Sequence, residues 1–222
     1  MVKNALFYIS SFIIEREVFR TSSKFNSELK IVLNFGKLEL NSGKANYSFG
    51  NLHKVFQKVF SRTELSKKNI KSALILGFGT GSIAHILRHE LKMNCHITGV
   101  EIDSEVIKLA HQYFKLASID NCEIFEQDAQ EYIHITKNKY DLIVVDVFNE
   151  IKVPDKFRTA SFIEAIKNCL SPLGLVYFNF VVDSSNQRNQ YTQLKQVFSQ
   201  HFSNNKTYQL LDSNYVLLGF KE

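Results

Sequence analysis

Short apolar runs alternate with helical patterns over residues 73–180 of the chain. The run Leu142-Ile143-Val144-Val145 is apolar at every position, as a strand buried on both faces requires. Strands that alternate with helices in this way form a parallel sheet whose two faces are covered by the crossover helices. The pattern therefore predicts an α/β fold with a doubly wound, Rossmann-like sheet.

The two ends of the chain depart from this alternation. Residues 207–211 and 215–220 have strand patterns separated by only three residues, a link that permits only antiparallel pairing. Residues 5–40 contain short β-branched and aromatic runs between Ser, Asn and Gly, which predict a small N-terminal β-element. We expect the apolar run of residues 5–14 to be a buried strand of this element. A helix is predicted over residues 52–60, where apolar residues recur at helical spacing.

Composition limits the functional classes. The chain has 222 residues, of which 45% are hydrophobic, enough for one well-buried core. Its net charge of +5 suits an anionic partner, but the lysines are dispersed, so we do not expect nucleic-acid binding. Cys95, Cys122 and Cys169 form no C-x-x-C pair, which argues against a disulfide framework or a zinc knuckle and favours a reducing cytoplasm. The run of residues 5–14 is too short to span a bilayer, and we expect no membrane contact.

A glycine-rich loop joins the first predicted strand to a predicted helix over residues 83–91. Its residues are Gly77, Phe78, Gly79, Thr80 and Gly81. Glycines at such a junction allow the backbone to approach a ligand closely and to point free N–H groups at it. A nicotinamide dinucleotide fingerprint would need Gly or Ala at position 82, which is Ser82. The loop therefore favours a cofactor without a pyrophosphate.

Acidic and amide residues stand where later strands of the predicted sheet end. Glu101 ends the second strand, where a carboxylate can accept hydrogen bonds from both hydroxyls of a ribose. Asp128 follows the third strand and could accept from an adenine amino group, cap the next helix, or do both. Asp146, Asn149 and Glu150 follow the fourth strand, at the sheet edge where ligands bind, and are our candidate catalytic residues.

Four ordered motifs resemble those of the spermidine synthases and related S-adenosylmethionine-dependent methyltransferases. They are Ile75 to Gly81, Val100-Glu101-Ile102-Asp103, Asp128-Ala129 and Tyr140 to Asp146. The resemblance implies that the glycine loop and Asp146 contact the cofactor, the latter near its amino-acid end. It also implies that Glu101 binds the ribose, Ile102 packs on adenine, and Asp128 with Ala129 contacts the adenine edge. On this basis residues 1–70 form N-terminal β-strands with a linking helix, and residues 71–222 form a Rossmann-like domain that binds S-adenosylmethionine.

The sequence departs from this family where the acceptor would react. The aminopropyl-transfer motif of the family runs D-S-S/T-D, whereas this chain has Asp146-Val147-Phe148-Asn149. An amide cannot act as a general base, so Asn149 cannot replace the carboxylate. The family's Tyr-His-Glu element is also missing, and Tyr47 and His53 are the nearby candidates for acceptor binding, although both could be packing residues.

Three functional hypotheses follow. The first is methyl transfer from S-adenosylmethionine to a small-molecule acceptor that enters above Asp146 and Glu150. The second is aminopropyl transfer from decarboxylated S-adenosylmethionine to a polyamine, with Asp146 or Glu150 as the base. The third is a binding or assembly protein that keeps the fold and the nucleoside site without turnover. By resemblance we also expect a cytoplasmic homodimer.

Two histidines raise the question of a metal. His85 and His89 lie four residues apart on the predicted helix after the glycine loop. The H-x-x-x-H spacing lacks the Glu beside the first His that a metalloprotease motif would have. We therefore expect surface histidines and no metal from this pair.

Overall fold

The computed structural model describes residues 5–43, 45–149 and 151–222 of the chain. The helices are α1 (Ala5–Ser10), α2 (Gly50–Arg62), α3 (Ser82–His85), α4 (Ser104–Tyr113), α5 (Ala129–Ile135), α6 (Ala160–Cys169) and α7 (Ser185–His201). The strands are β1 (Arg16–Thr21), β2 (Leu29–Asn34), β3 (Lys37–Ser42), β4 (Ala45–Ser48), β5 (Ser72–Leu76), β6 (His96–Glu101), β7 (Cys122–Glu126), β8 (Tyr140–Val145), β9 (Leu170–Val181), β10 (Asn205–Leu210) and β11 (Asn214–Phe220).

Seven strands form the main sheet in the order β10-β11-β9-β8-β5-β6-β7. The pairs β8–β9, β5–β8, β5–β6 and β6–β7 are parallel, and β11 is antiparallel to both β9 and β10. The predicted doubly wound fold with an antiparallel C-terminal strand is therefore confirmed. The chain runs outward from β5 through β6 to β7 and then crosses to β8 on the other side of β5. Ligands of open α/β sheets bind at such a reversal, outside the carboxyl ends of the strands.

Helices cover both faces of the main sheet, because consecutive residues of its central strands point to opposite sides. Leu142 and Val144 of β8 pack with α2 and α3 on one face, whereas Ile143 and Val145 pack with α5, α6 and α7 on the other. All four residues are fully buried. This explains why the strand is apolar at every position rather than at alternate positions.

The small N-terminal sheet is antiparallel with the order β1-β2-β3-β4. Leu29, Ile31 and Leu40 of this sheet form a core cluster with Val106 and Leu109 of α4. Because α4 begins just after the carboxyl end of β6, this packing holds the small sheet beside the ligand-binding edge of the main sheet.

The expected buried strand over residues 5–14 is wrong. Residues Ala5–Ser10 form a helix. At its end, the hydroxyl of Ser10 donates to the Phe7 carbonyl and the hydroxyl of Ser11 donates to the Tyr8 carbonyl. A short apolar run does not distinguish a strand from a helix. Ile9 and Ile13 are exposed. Among the described residues, no helix combines the length and the apolar character needed to cross a membrane.

The helix expected over residues 83–91 is also more irregular than its pattern indicates. Only Ser82–His85 is α-helical, and Ile86–Glu90 is a π-helical turn. Its wider winding is visible in the bond from the Leu91 N–H to the Ile86 carbonyl, five residues back, at 2.9 Å. Such π turns are rare and are frequent at functional sites.

The burial of β8 gives a stability prediction. Leu142→Ala should lower the free energy of unfolding by about 2–5 kcal/mol, because it removes buried methyl groups and leaves a cavity in the centre of the sheet. Leu173→Ala is the matched control, since Leu173 is 82% exposed. Urea unfolding followed by circular dichroism measures both variants. Equal effects of the two substitutions would contradict the placement of Leu142 in the core.

Candidate functional site

A cavity of about 450 Å³ lies at the carboxyl ends of β5, β6 and β8. Ligand pockets commonly have volumes of about 300–1,000 Å³, so the cavity is large enough for a nucleoside. Its walls include Gly77, Glu101, Asp128 and Asp146 from the main sheet edge. Phe25, from the loop between β1 and β2, closes it on the side of the small sheet.

The glycine loop forms the wall nearest to β8. Gly77 has φ +80°, and a Cβ atom built on it would lie 2.3 Å from the carbonyl oxygen of Asp146. No side chain fits in that space, so glycine is required at this position. The turn thereby brings the ends of β5 and β8 close together at the cavity.

The sequence predicts free N–H groups in the glycine loop, but in the structure these groups donate hydrogen bonds within the protein. Their acceptors are the Val100 carbonyl for Gly77 and Phe78, the Glu101 carboxylate for Gly79, the Ser48 hydroxyl for Thr80, and the Phe78 carbonyl for Gly81. A loop whose amides are satisfied internally offers little to a phosphate group, whose binding depends on unpaired N–H groups. The geometry therefore fits a nucleoside without phosphates better than a nucleotide.

Glu101 is the buried carboxylate that holds this loop in place. It is 3% exposed, and its two oxygens accept hydrogen bonds from the Gly79 N–H at 2.8 Å and the Asp103 N–H at 3.0 Å. A carboxylate has about four acceptor positions, so Glu101 can still accept from a ligand in the cavity. Burial raises the pKa of Glu101 to about 7, although these backbone hydrogen bonds oppose the rise.

Asp146 lies just after β8, next to Gly77 of the glycine loop. Its Oδ1 accepts from Asn179 Nδ2 at 2.9 Å, and Asn179 Oδ1 accepts in turn from Asn214 Nδ2 at 3.2 Å. Burial raises the pKa of Asp146 to about 7, against the hydrogen bond from Asn179, and the nearby Glu101 carboxylate adds to the rise. A carboxyl group with such a pKa can take up or release a proton near neutral pH.

Asp128 caps α5 by accepting from the Gln130 N–H at 2.8 Å. It also forms an ion pair with Lys156. Ile102 and Ala129 line the same end of the cavity. The capping role considered for Asp128 is therefore present, and Asp128 also lines the cavity.

The other candidate residues take different positions. Asn149 lies at the exposed rim of the cavity, where its backbone forms a two-way hydrogen-bonded bridge with Lys152. Thr80 and Gly81, at the end of the glycine loop, do not line the cavity. His53 stands beside the cavity and forms a 2.8 Å hydrogen bond with Ser82, which does line it. Glu150 and the side chain of Tyr47 lie outside the described residues.

Several cavity residues are missing from the sequence-based candidates. Asn179 could have been noticed, because it is a polar residue within the apolar strand run Phe178-Asn179-Phe180. Lys156 lies in a short 3₁₀ helix, Asp155–Arg158, whose sequence gives no such signal. Phe25 and Asn26 reach the site only because the small sheet folds over it, and Asn26 Nδ2 donates to Asp103 Oδ2 at 2.8 Å. No local pattern predicts that tertiary contact.

Comparison with known proteins identifies the family. The model of the spermine/spermidine synthase domain matches residues 56–215, which is more than half of the chain. A probable polyamine aminopropyl transferase from Bifidobacterium longum is 33% identical over 140 residues, 63% of this chain and 30% of that protein. The matched part spans less than half of the length of the curated relatives.

Solved structures share the fold at low sequence identity. A spermidine synthase in complex with the transition-state analogue AdoDATO has a TM-score of 0.69 and 19% identity, covering 93% of this chain and 74% of its own. Human methyltransferase-like protein 13 in complex with SAH has a TM-score of 0.63 and 19% identity, covering 78% of this chain and 83% of its own. The same architecture is therefore present in a spermidine synthase and in a protein with a methyltransferase name.

The raised pKa of Asp146 gives a prediction about stability and pH. The folded protein binds this proton more tightly than the unfolded chain does, so the contribution of Asp146 to the free energy of unfolding falls as the pH rises from about 4 to about 7. Asp146→Asn removes that loss and should stabilise the protein at pH 8 by on the order of 2–4 kcal/mol, with little effect at pH 4. Urea unfolding at several pH values measures this dependence.

Asp183→Asn is the control for this prediction. Asp183 is exposed and does not line the cavity, so its variant should keep the pH profile of the wild-type protein. An Asp146→Asn profile that is parallel to the wild-type profile would contradict the burial of an ionisable group at this wall.

Proposed function

Because the chain belongs to the spermine/spermidine synthase family, we propose that it transfers an aminopropyl group from decarboxylated S-adenosylmethionine to a polyamine-type amine. The family match and the name of the Bifidobacterium relative favour this alternative over methyl transfer, the first hypothesis from the sequence. The proposed donor and acceptor are both cations, which matters for the charge of the cavity.

The charge of the cavity walls is the observation that carries the proposal. Glu101 and Asp146 are buried carboxylates without a cationic partner among the described residues. Lys156 is the only basic residue in the described lining, and it is already paired with Asp128. S-Adenosylmethionine carries an amino-acid carboxylate that would find no unpaired cation here. Its decarboxylated form carries only the ammonium group, which a buried carboxylate stabilises.

The residues present fit this nucleoside from one end to the other. By the family resemblance, Glu101 holds the ribose hydroxyls, Ile102 and Ala129 pack on the adenine, and Asp128 accepts from its amino group. The internally bonded glycine loop supplies a close-fitting wall that does not require a phosphate. Asp146, at the opposite end, is the residue that we assign to the ammonium of the aminopropyl group.

The bound nucleoside supplies an activated carbon, because a sulfonium is a good leaving group and departs as a neutral thioether when an amine displaces it. The contribution of the protein is therefore alignment and charge, and it must also accept a proton from the acceptor amine. Asn149 cannot accept that proton. We assign this role to Glu150, the next residue in the chain, and Asp146, whose pKa is about 7, is the second candidate.

Methyl transfer is the second candidate function, and one observation favours it. The amide of Asn149 stands where the aminopropyl-transfer motif has a carboxylate. That carboxylate serves the transfer to a polyamine, and methyl transfer to another acceptor does not need it. The charge of the cavity opposes this alternative, because it offers no unpaired cation for a carboxylate ligand within the described lining.

The expected homodimer stays a prediction, which analytical ultracentrifugation can test.

Ligand preference tests the proposed donor. Calorimetry should show that decarboxylated S-adenosylmethionine binds more tightly than S-adenosylmethionine, since only the latter brings an uncompensated carboxylate to Asp146. A hydrogen bond to a charged group contributes about 1.5–3 kcal/mol, so Asp146→Asn should weaken binding of the decarboxylated form by roughly 10–100-fold. Asp183→Asn should leave it unchanged. A preference for S-adenosylmethionine would instead support methyl transfer.

Turnover tests the proposed base. With putrescine and decarboxylated S-adenosylmethionine, Glu150→Gln should lower kcat by about 10²–10⁴-fold, the usual contribution of a general base. Asn149→Asp should raise kcat, because it restores the carboxylate of the family motif. Glu164→Gln on the exposed face of α6 is the control. Tight nucleoside binding without turnover of putrescine or of any methyl acceptor would favour the third hypothesis, a protein that binds without catalysis.

A further inference from the structure

Three side chains converge on the outer side of the glycine loop, next to the nucleoside cavity. They are His53 of α2, His85 of α3, and Glu90 at the end of the π-helical turn. One ligand atom of each lies within 4.8 Å of the other two. His53 Nε2 is 2.7 Å from Glu90 Oε1, and His85 Nδ1 is 3.6 Å from the same oxygen. We propose that this cluster binds a zinc ion.

The chemistry and spacing of the donor set fit zinc. Two imidazole nitrogens and one carboxylate oxygen are a ligand set that zinc sites use when a fourth position is left for water. Bond lengths of about 2.0–2.2 Å place tetrahedral ligands about 3.4 Å apart, and the distances of 2.7 Å and 3.6 Å lie on either side of that value. Shifts of under about 1 Å would therefore complete the site.

One atom of the cluster lacks the partner that a metal would provide. His85 Nδ1 is buried and has no hydrogen-bond partner in the described part of the chain. Its distance of 3.6 Å from Glu90 Oε1 is too long for a hydrogen bond. A buried nitrogen without a partner is costly, and coordination of a metal ion would satisfy it.

The orientation of His53 also suits a metal ligand. Its ring stacks on Phe49 at 5.4 Å between centroids, and its Nδ1 forms a 2.8 Å hydrogen bond with Ser82 Oγ. Metal-binding histidines usually donate their second N–H to an oxygen, which fixes the ring. A hydroxyl can accept as well as donate, so Ser82 can serve this purpose when Nε2 binds the metal.

The π-helical turn explains how His85 and Glu90 come to face each other. Residues five apart in an α-helix lie about 140° apart around the axis, so these two side chains would diverge. The wider turn at Ile86–Glu90 brings Glu90 back towards the face of His85. His89, the other half of the H-x-x-x-H pair, is not part of the cluster. The proposed metal site therefore shares only His85 with the H-x-x-x-H pair of the sequence.

A zinc ion at this position would tie α2 to the start of α3, next to Ser82 in the cavity wall. Isothermal titration of tag-free, chelator-treated full-length protein with zinc chloride should give one site with micromolar or tighter affinity. Mg²⁺ should not bind in its place, because it prefers all-oxygen ligands. Saturating zinc should raise the Tm of the wild-type protein, since it binds the folded state.

Variants of two independent ligands test the assignment. Changes to residues that only support a metal ligand weaken binding by about 10–100-fold, so His85→Gln and Glu90→Gln, which remove a ligand, should each weaken zinc binding by more than about 100-fold. Both should also abolish the zinc-dependent rise in Tm, while circular dichroism confirms that they fold. His96→Gln, on an exposed histidine outside the cluster, should bind zinc like the wild type. Absence of zinc binding in the wild type, or unchanged binding in His85→Gln and Glu90→Gln, would overturn the proposal.

Discussion

The buried carboxylate of Glu101 is the point at which the separate parts of the site are held together. It accepts the N–H of Gly79 from the glycine loop and the N–H of Asp103 from the turn before α4. Asp103 in turn caps α4 and accepts hydrogen bonds from Ser23 and Asn26, in the loop between β1 and β2 of the small sheet. A charge buried in this way is unfavourable unless hydrogen bonds compensate it. The same hydrogen bonds fix the loop, the helix and the small sheet around one ligand-sized space.

The main sheet and the acidic residues around the cavity could be predicted from the sequence. Central strands such as β8 are recognisable because both of their faces are buried, which leaves no polar position in the run. Glu101, Asp128 and Asp146 could be grouped because the carboxyl ends of parallel strands meet at one edge. These are consequences of local pattern and of a topology with few alternatives.

Features that depend on tertiary contacts could not be predicted. Residues Ala5–Ser10 of the apolar run over residues 5–14 are helical, although the composition of the run suits a buried strand. The π-helical turn has the same hydrophobic pattern as an ordinary helix, and only the fold shows that Glu90 reaches the two histidines. The loop amides looked available to a ligand, because nothing in the glycine pattern indicates that Val100, Glu101 and Ser48 already accept their hydrogen bonds.

The side-chain hydrogen bonds that run from Asn214 through Asn179 to Asp146 have a consequence for the stage at which the cavity can form. Asn214 belongs to β11, which pairs with β9 only after some thirty intervening residues have been made. Asn26, at the other side of the cavity, is synthesised almost two hundred residues earlier. The wall around Asp146 is therefore complete only when β11 has paired with β9. The cavity is thus assembled from segments far apart in the sequence, and its walls come together only when the tertiary fold has formed.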